Sequence, residues 1–80
     1  MQLSRYFFHL HNGLDVHDDE GRVFPDEAHA RQCAEHDARE MAAESVKAGH
    51  LNMPHYVNVT HETGREVFIV RFGDVITLTA

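Results

Sequence analysis

The sequence predicts a two-layer α+β domain, β-β-α-β-β, in which one helix covers one face of a mainly antiparallel four-stranded sheet. Three observations predict it. Apolar residues alternate at strand period along the opening "RYFFHLH" and the closing "YVNVT" and "VFIVRF". The turn pairs Asn12-Gly13 and Thr63-Gly64 interrupt these segments. Between them lies an alanine-rich stretch with helical spacing and a stop or start signal at each end.

The first strand is expected from about Leu3 to His11, with Tyr6, Phe8 and Leu10 on one side and Phe7, His9 and His11 on the other. A strict two-residue turn at Asn12-Gly13 would set Leu10 against Asp15 and Phe8 against His17. One extra loop residue instead pairs Leu10 with Val16 and His9 with His17, which keeps the apolar side apolar. That register gathers His9, His11, Asp15 and His17 on the opposite side. "DDEG" (18–21) turns the chain, and "RVF" reads as a short strand or an extended loop.

Asp26 is the expected helix N-cap, with Pro25 just outside and Glu27 in the first turn, where a negative charge suits the helix dipole. The helix should reach about Ala48 and stop at Gly49. Ala30, Ala34, Ala38, Met41, Ser45 and Ala48 form its stripe, small enough to bring the helix close to a sheet. "LNMP" leads into the second hairpin. With Thr63-Gly64 as a two-residue turn, Val59 faces Phe68, Val57 faces Val70, Glu62 meets Arg65 and His61 meets Glu66. The helix then covers a face made of Tyr6, Phe8, Leu10, Val16, Val57, Val59, Phe68, Val70 and Phe72.

The totals narrow the function. Eighty residues make a single small domain, and a chain of this size buries only about 60% of its unfolded surface. Metal, self-association or a well-packed core must supply stability, because the lone Cys33 excludes an internal disulfide and suits a reducing cytoplasm. No stretch approaches the roughly 18 apolar residues of a membrane span, and the N-terminus has no basic region followed by an apolar run. A net charge of −6, with the basic residues scattered, argues against nucleic acid as a partner. Eight histidines stand out, since protonating all of them would reverse the sign of that charge.

Two histidine groups have ligand-like spacing. His9 and His11 share one side of a strand with His17 across from them and Asp15 nearby, an arrangement that suits zinc. Zinc structural sites usually use cysteines, however, and a solvated strand face explains the same residues. His29, Cys33, His36 and Glu40 lie along one flank of the helix at spacings that can chelate zinc or nickel. That flank lacks a second element to supply ligands, and Cys33 also fits the edge of the apolar stripe. No cofactor is expected, with zinc or nickel as the alternative.

No catalytic residues are expected either. The chain has no G-x-S-x-G, C-x-x-C, phosphate-binding glycine loop or H-E-x-x-H. A Cys33–His36 pair on one helix is too local for nucleophile and base, and a thiol in mid-helix lacks the N-terminal field that activates it.

Three segments, "RYFFHLHNG", "DDEGRVFPDEAHARQCA" and "VNVTHETGREVFIVRF", carry a resemblance over nearly the whole chain. The chain resembles a family of short bacterial proteins known only as a domain of unknown function. Its members open with an R-Y-F-F strand, continue through an acid-Gly turn and a Pro-Asp helix start, and end in a T-x-E-x-G hairpin. The resemblance brings no functional residues. "PDEAHA" after a hairpin is also similar to HicB-type antitoxins, but the N-terminal histidine pair and the lack of an appended helix-turn-helix depart from them.

The expectation is therefore a cytoplasmic, non-enzymatic interaction module, a homodimer or the partner of another protein. Its contact surface would be Phe7, Tyr56, Val67 and Ile69, which one helix cannot cover. A histidine-dependent metal-binding protein and an antitoxin-like regulator with a basic partner are the alternatives.

Overall fold

The computed structural model describes residues 2–79. Its elements run β1 (Ser4–His11), β2 (Asp15–Val16), β3 (Arg22–Phe24), α1 (Glu27–Lys47), β4 (Tyr56–His61) and β5 (Glu66–Arg71), followed by a 3₁₀ turn at Phe72–Asp74. All pairings are antiparallel, in the order β2-β1-β4-β5, and β3 also pairs with β1. The α+β expectation holds, and "RVF" is the extra short strand.

The first hairpin takes the register that the apolar side demands, with Leu10 opposite Val16 and His11 opposite Asp15. The helix is capped as expected. The Asp26 side chain accepts from His29 N, Ala48 is the C-cap, and Gly49 follows with φ +95.

The second hairpin departs from expectation near its tip. His61 N donates to Arg65 O, and Gly64 N donates to His61 O, so three residues form the loop. A two-residue type I′ turn would need positive φ at Thr63, which β-branching opposes, and among the described residues only glycines have positive φ. The loop moves the pairing by one, to Thr60 with Glu66. A bulge at Val67 then restores Val59 with Phe68 and Val57 with Val70. Glu62 therefore does not meet Arg65, nor His61 Glu66.

The core lies between helix and sheet: Tyr6, Val57, Val59, Val70 and Phe72 are buried against Ala30, Ala34, Ala38 and Ala42. The stripe follows an i, i+4 ridge, so Ala42 is buried while Met41 and Ser45 are half-buried and Ala48 is exposed. The helix lies over β5, β4 and β3. Phe8 and Leu10 are consequently half-buried, and Val16 on β2 is 53% exposed. Polar clamps fix the helix. Arg22 bridges to Asp37 at 2.6 Å with its guanidinium 4.2 Å from the Phe8 ring centre. Arg65 bridges to Glu27 at 2.9 Å, and Arg39 Nε donates to Val75 O at 3.0 Å.

Candidate functional site

The sheet face away from the helix carries the odd-numbered residues of β1 and their partners. Phe7 stands opposite Thr60, His9 opposite Asn58 and His11 opposite Tyr56, while Asn58 and Tyr56 stand opposite Ile69 and Arg71. Val23, opposite Arg5, is 48% exposed and Ile69 is 39% exposed. Of the four expected contact residues, Phe7, Tyr56 and Ile69 share this face. Val67 instead packs against the buried core, because the bulge turns it out of strict alternation.

The histidines of this face are packed as aromatic rings. His9 lies between Phe7 and His17, at centroid distances of 6.4 and 4.4 Å, nearly parallel to both. His11 stacks on Tyr56 at 4.5 Å, and its Nδ1 meets the Asp15 carboxylate at 2.6 Å.

Hydrogen bonds fix the tautomer of His9. Asp18 N donates to Nδ1 at 3.1 Å, so Nδ1 carries no proton, and Nε2–H donates to Thr60 Oγ1 at 3.1 Å. Both ring nitrogens are thus engaged within the protein. Burial, and then the neighbouring His17, lower the pKa of His9 from its ordinary 6.5.

That depression gives a pH dependence with a definite sign. As pH falls below about 6.5, the unfolded chain takes up the proton before the folded one, so stability falls until the folded pKa is passed. Urea titrations between pH 7.5 and 5 are expected to show this loss, and His9→Gln should flatten it. Equal slopes in both proteins would contradict the assignment.

Asp18 organises the loop beneath His9. Its carboxylate accepts from Phe8 N at 2.9 Å and from Glu20 N and Gly21 N at 3.1 Å. Burial opposes ionisation, but these three donors outweigh it and hold the carboxyl below its ordinary value. In the sequence these acids read as a turn. The signal for Asp18 is its place two residues before Glu20 and three before Gly21, where an Asx-type turn can form.

The helix residues do not converge. His29 Nδ1 meets its neighbouring cap Asp26, and His36 Nε2 lies 3.7 Å from Glu40. Cys33 Sγ accepts from Arg22 at 3.0 Å. Burial and then Asp37 raise the Cys33 pKa, which keeps the thiol protonated at neutral pH. Among the described residues, no group of three or more His, Cys, Asp or Glu side chains is placed to hold a metal ion.

A groove of about 570 Å³ opens on the helix side of the β2 end, between Phe8, Leu10, Val16 and Met41, with Asp19 and Glu20 on its rim. Among the described residues no helix is long and apolar enough to cross a membrane. No curated protein and no solved structure matches the chain. No specific homology to HicB-type antitoxins is shown, and that likeness goes no further. A family model matches residues 5–73, nearly the whole chain, and the chain belongs to the family described as Domain of unknown function (DUF6894).

Proposed function

We propose that this chain is a non-enzymatic interaction module that associates with a second copy of itself where the uncovered side of its sheet meets the β5 edge. The observation that carries the reading is Ile69, a branched apolar residue 39% exposed at the centre of an edge strand. It shares with the stacked rings of His11 and Tyr56 a face that the helix does not cover. The face mixes signs, with Arg5 and Arg71 against Asp15 and Glu66, which suits a self-complementary contact rather than a strongly charged partner. A small domain also gains the stability that its own core supplies sparingly.

Sedimentation velocity of wild type and Ile69→Asp tests this. Wild type is expected to dimerise in the micromolar range. The variant should be monomeric at the same concentrations while losing no more than about 1 kcal/mol of stability, since the site is already partly exposed. A monomeric wild type, or an unaffected dimer in the variant, would sink the proposal.

A further inference from the structure

The two edges of the sheet are unlike. On one side β1 pairs with only the two residues of β2 and the three of β3, and the Asp18 carboxylate takes the Phe8 N–H between them. That edge is closed to another strand. β5 forms the other edge, is six residues long and, among the described residues, pairs on one side only.

One hydrogen bond tells which main-chain groups β5 offers. Phe72 N donates to His55 O at 2.8 Å, and antiparallel ladders alternate with period two. Val70 and Phe68 therefore turn their N–H and C=O toward β4, whereas Ile69 and Arg71 direct theirs outward.

The side chains on this edge are arranged symmetrically about Ile69. Arg71 is two ladder steps away on one side. On the other, the bulge lets Glu66 and Val67 occupy a single step, so Glu66, opposite Thr60, is also two steps away. Glu66, Ile69 and Arg71 all lie on the uncovered face. Among the described residues neither the Glu66 carboxylate nor the Arg71 guanidinium has an ion-pair partner. Glu66 accepts from Asn58 Nδ2 at 3.3 Å.

We infer that β5 pairs antiparallel with β5 of a second copy about a two-fold axis at Ile69, joining the two sheets into one. The inference rests on the self-association reading above and gives it a register. Ile69 meets Ile69, and each Glu66 meets Arg71 of the other copy, so two cross-strand ion pairs form. Moving the axis by one residue sets Ile69 against Arg71 or against the bulge and loses both pairs. Bulges and charges on edges also serve to discourage pairing. Here the bulge lies at one end of the strand and brings Glu66 into match with Arg71.

Cross-linking and charge exchange on the full chain test the register. Directly opposed residues in a hydrogen-bonded antiparallel pair have Cα atoms about 5.5 Å apart, within disulfide range. Ile69→Cys in a Cys33→Ser background should oxidise to a covalent dimer, whereas Val23→Cys at the other edge should not. Glu66→Arg and Arg71→Glu should each weaken association about tenfold by sedimentation, and combining them should restore it. A dimer that neither cross-links at position 69 nor responds to the exchanges would overturn the register and leave self-association standing. A wild type that stays monomeric would overturn both.

Discussion

Gly21→Ala is expected to cost about 2–4 kcal/mol, enough to unfold much of so small a domain at 37 °C. Gly21 has φ +69, and a Cβ there would lie 2.9 Å from both Arg5 Cγ and Tyr6 O and 3.0 Å from Phe7 Cε1. The left-handed backbone alone costs about 1 kcal/mol for a residue with a side chain. The contact with Tyr6 O adds more, because a strand carbonyl in the middle of the sheet cannot move aside. Gly64, with φ +90 and nothing within 4 Å of a Cβ, is the comparison. Gly64→Ala should lose only about 1 kcal/mol. Chemical denaturation of both variants checks the difference, and equal losses would show that the close approach at Gly21 is unimportant.

The second large effect is expected at Asp18. Asp18→Ala removes the acceptor of three backbone N–H groups and should cost about 2–3 kcal/mol. Asp18→Asn should recover part of this, since its amide oxygen can still serve Glu20 N and Gly21 N while its NH₂ cannot accept from Phe8 N. The pH dependence follows from the depressed carboxyl. The advantage of wild type over Asp18→Asn should be full above the ordinary value of 3.8 and fade as pH falls through the lower folded pKa. A gap that stays constant as pH falls below 3.8 would mean that charge is not what holds the loop. Arg5 Nη1 also donates to Glu20 O at 2.8 Å, so one loop is tied to β1 from both ends. Together these bonds close the edge beside β1 and leave β5 as the continuous one.

The elements legible in the sequence were those where two signals coincide. Leu10 pairs with Val16 because the apolar side and a three-residue loop agree, and α1 begins and ends where Asp26 and Gly49 say it should. The second hairpin was legible only in its apolar pairs. Its loop depends on a backbone preference of Thr63 that competes with the attraction of a Thr-Gly turn, and the compensating bulge at Val67 has no side-chain signature. Strict alternation therefore puts Val67 on the uncovered side, whereas the structure packs it against the core. The neutral His9 was equally hidden, since its tautomer is set by Asp18 N, a main-chain group nine residues away.

The most direct test is native mass spectrometry of untagged protein purified without chelator. Self-association predicts a metal-free dimer whose fraction rises with concentration. A monomer carrying one metal ion would contradict it and make the histidines ligands, and an empty monomer throughout the micromolar range would contradict it as well.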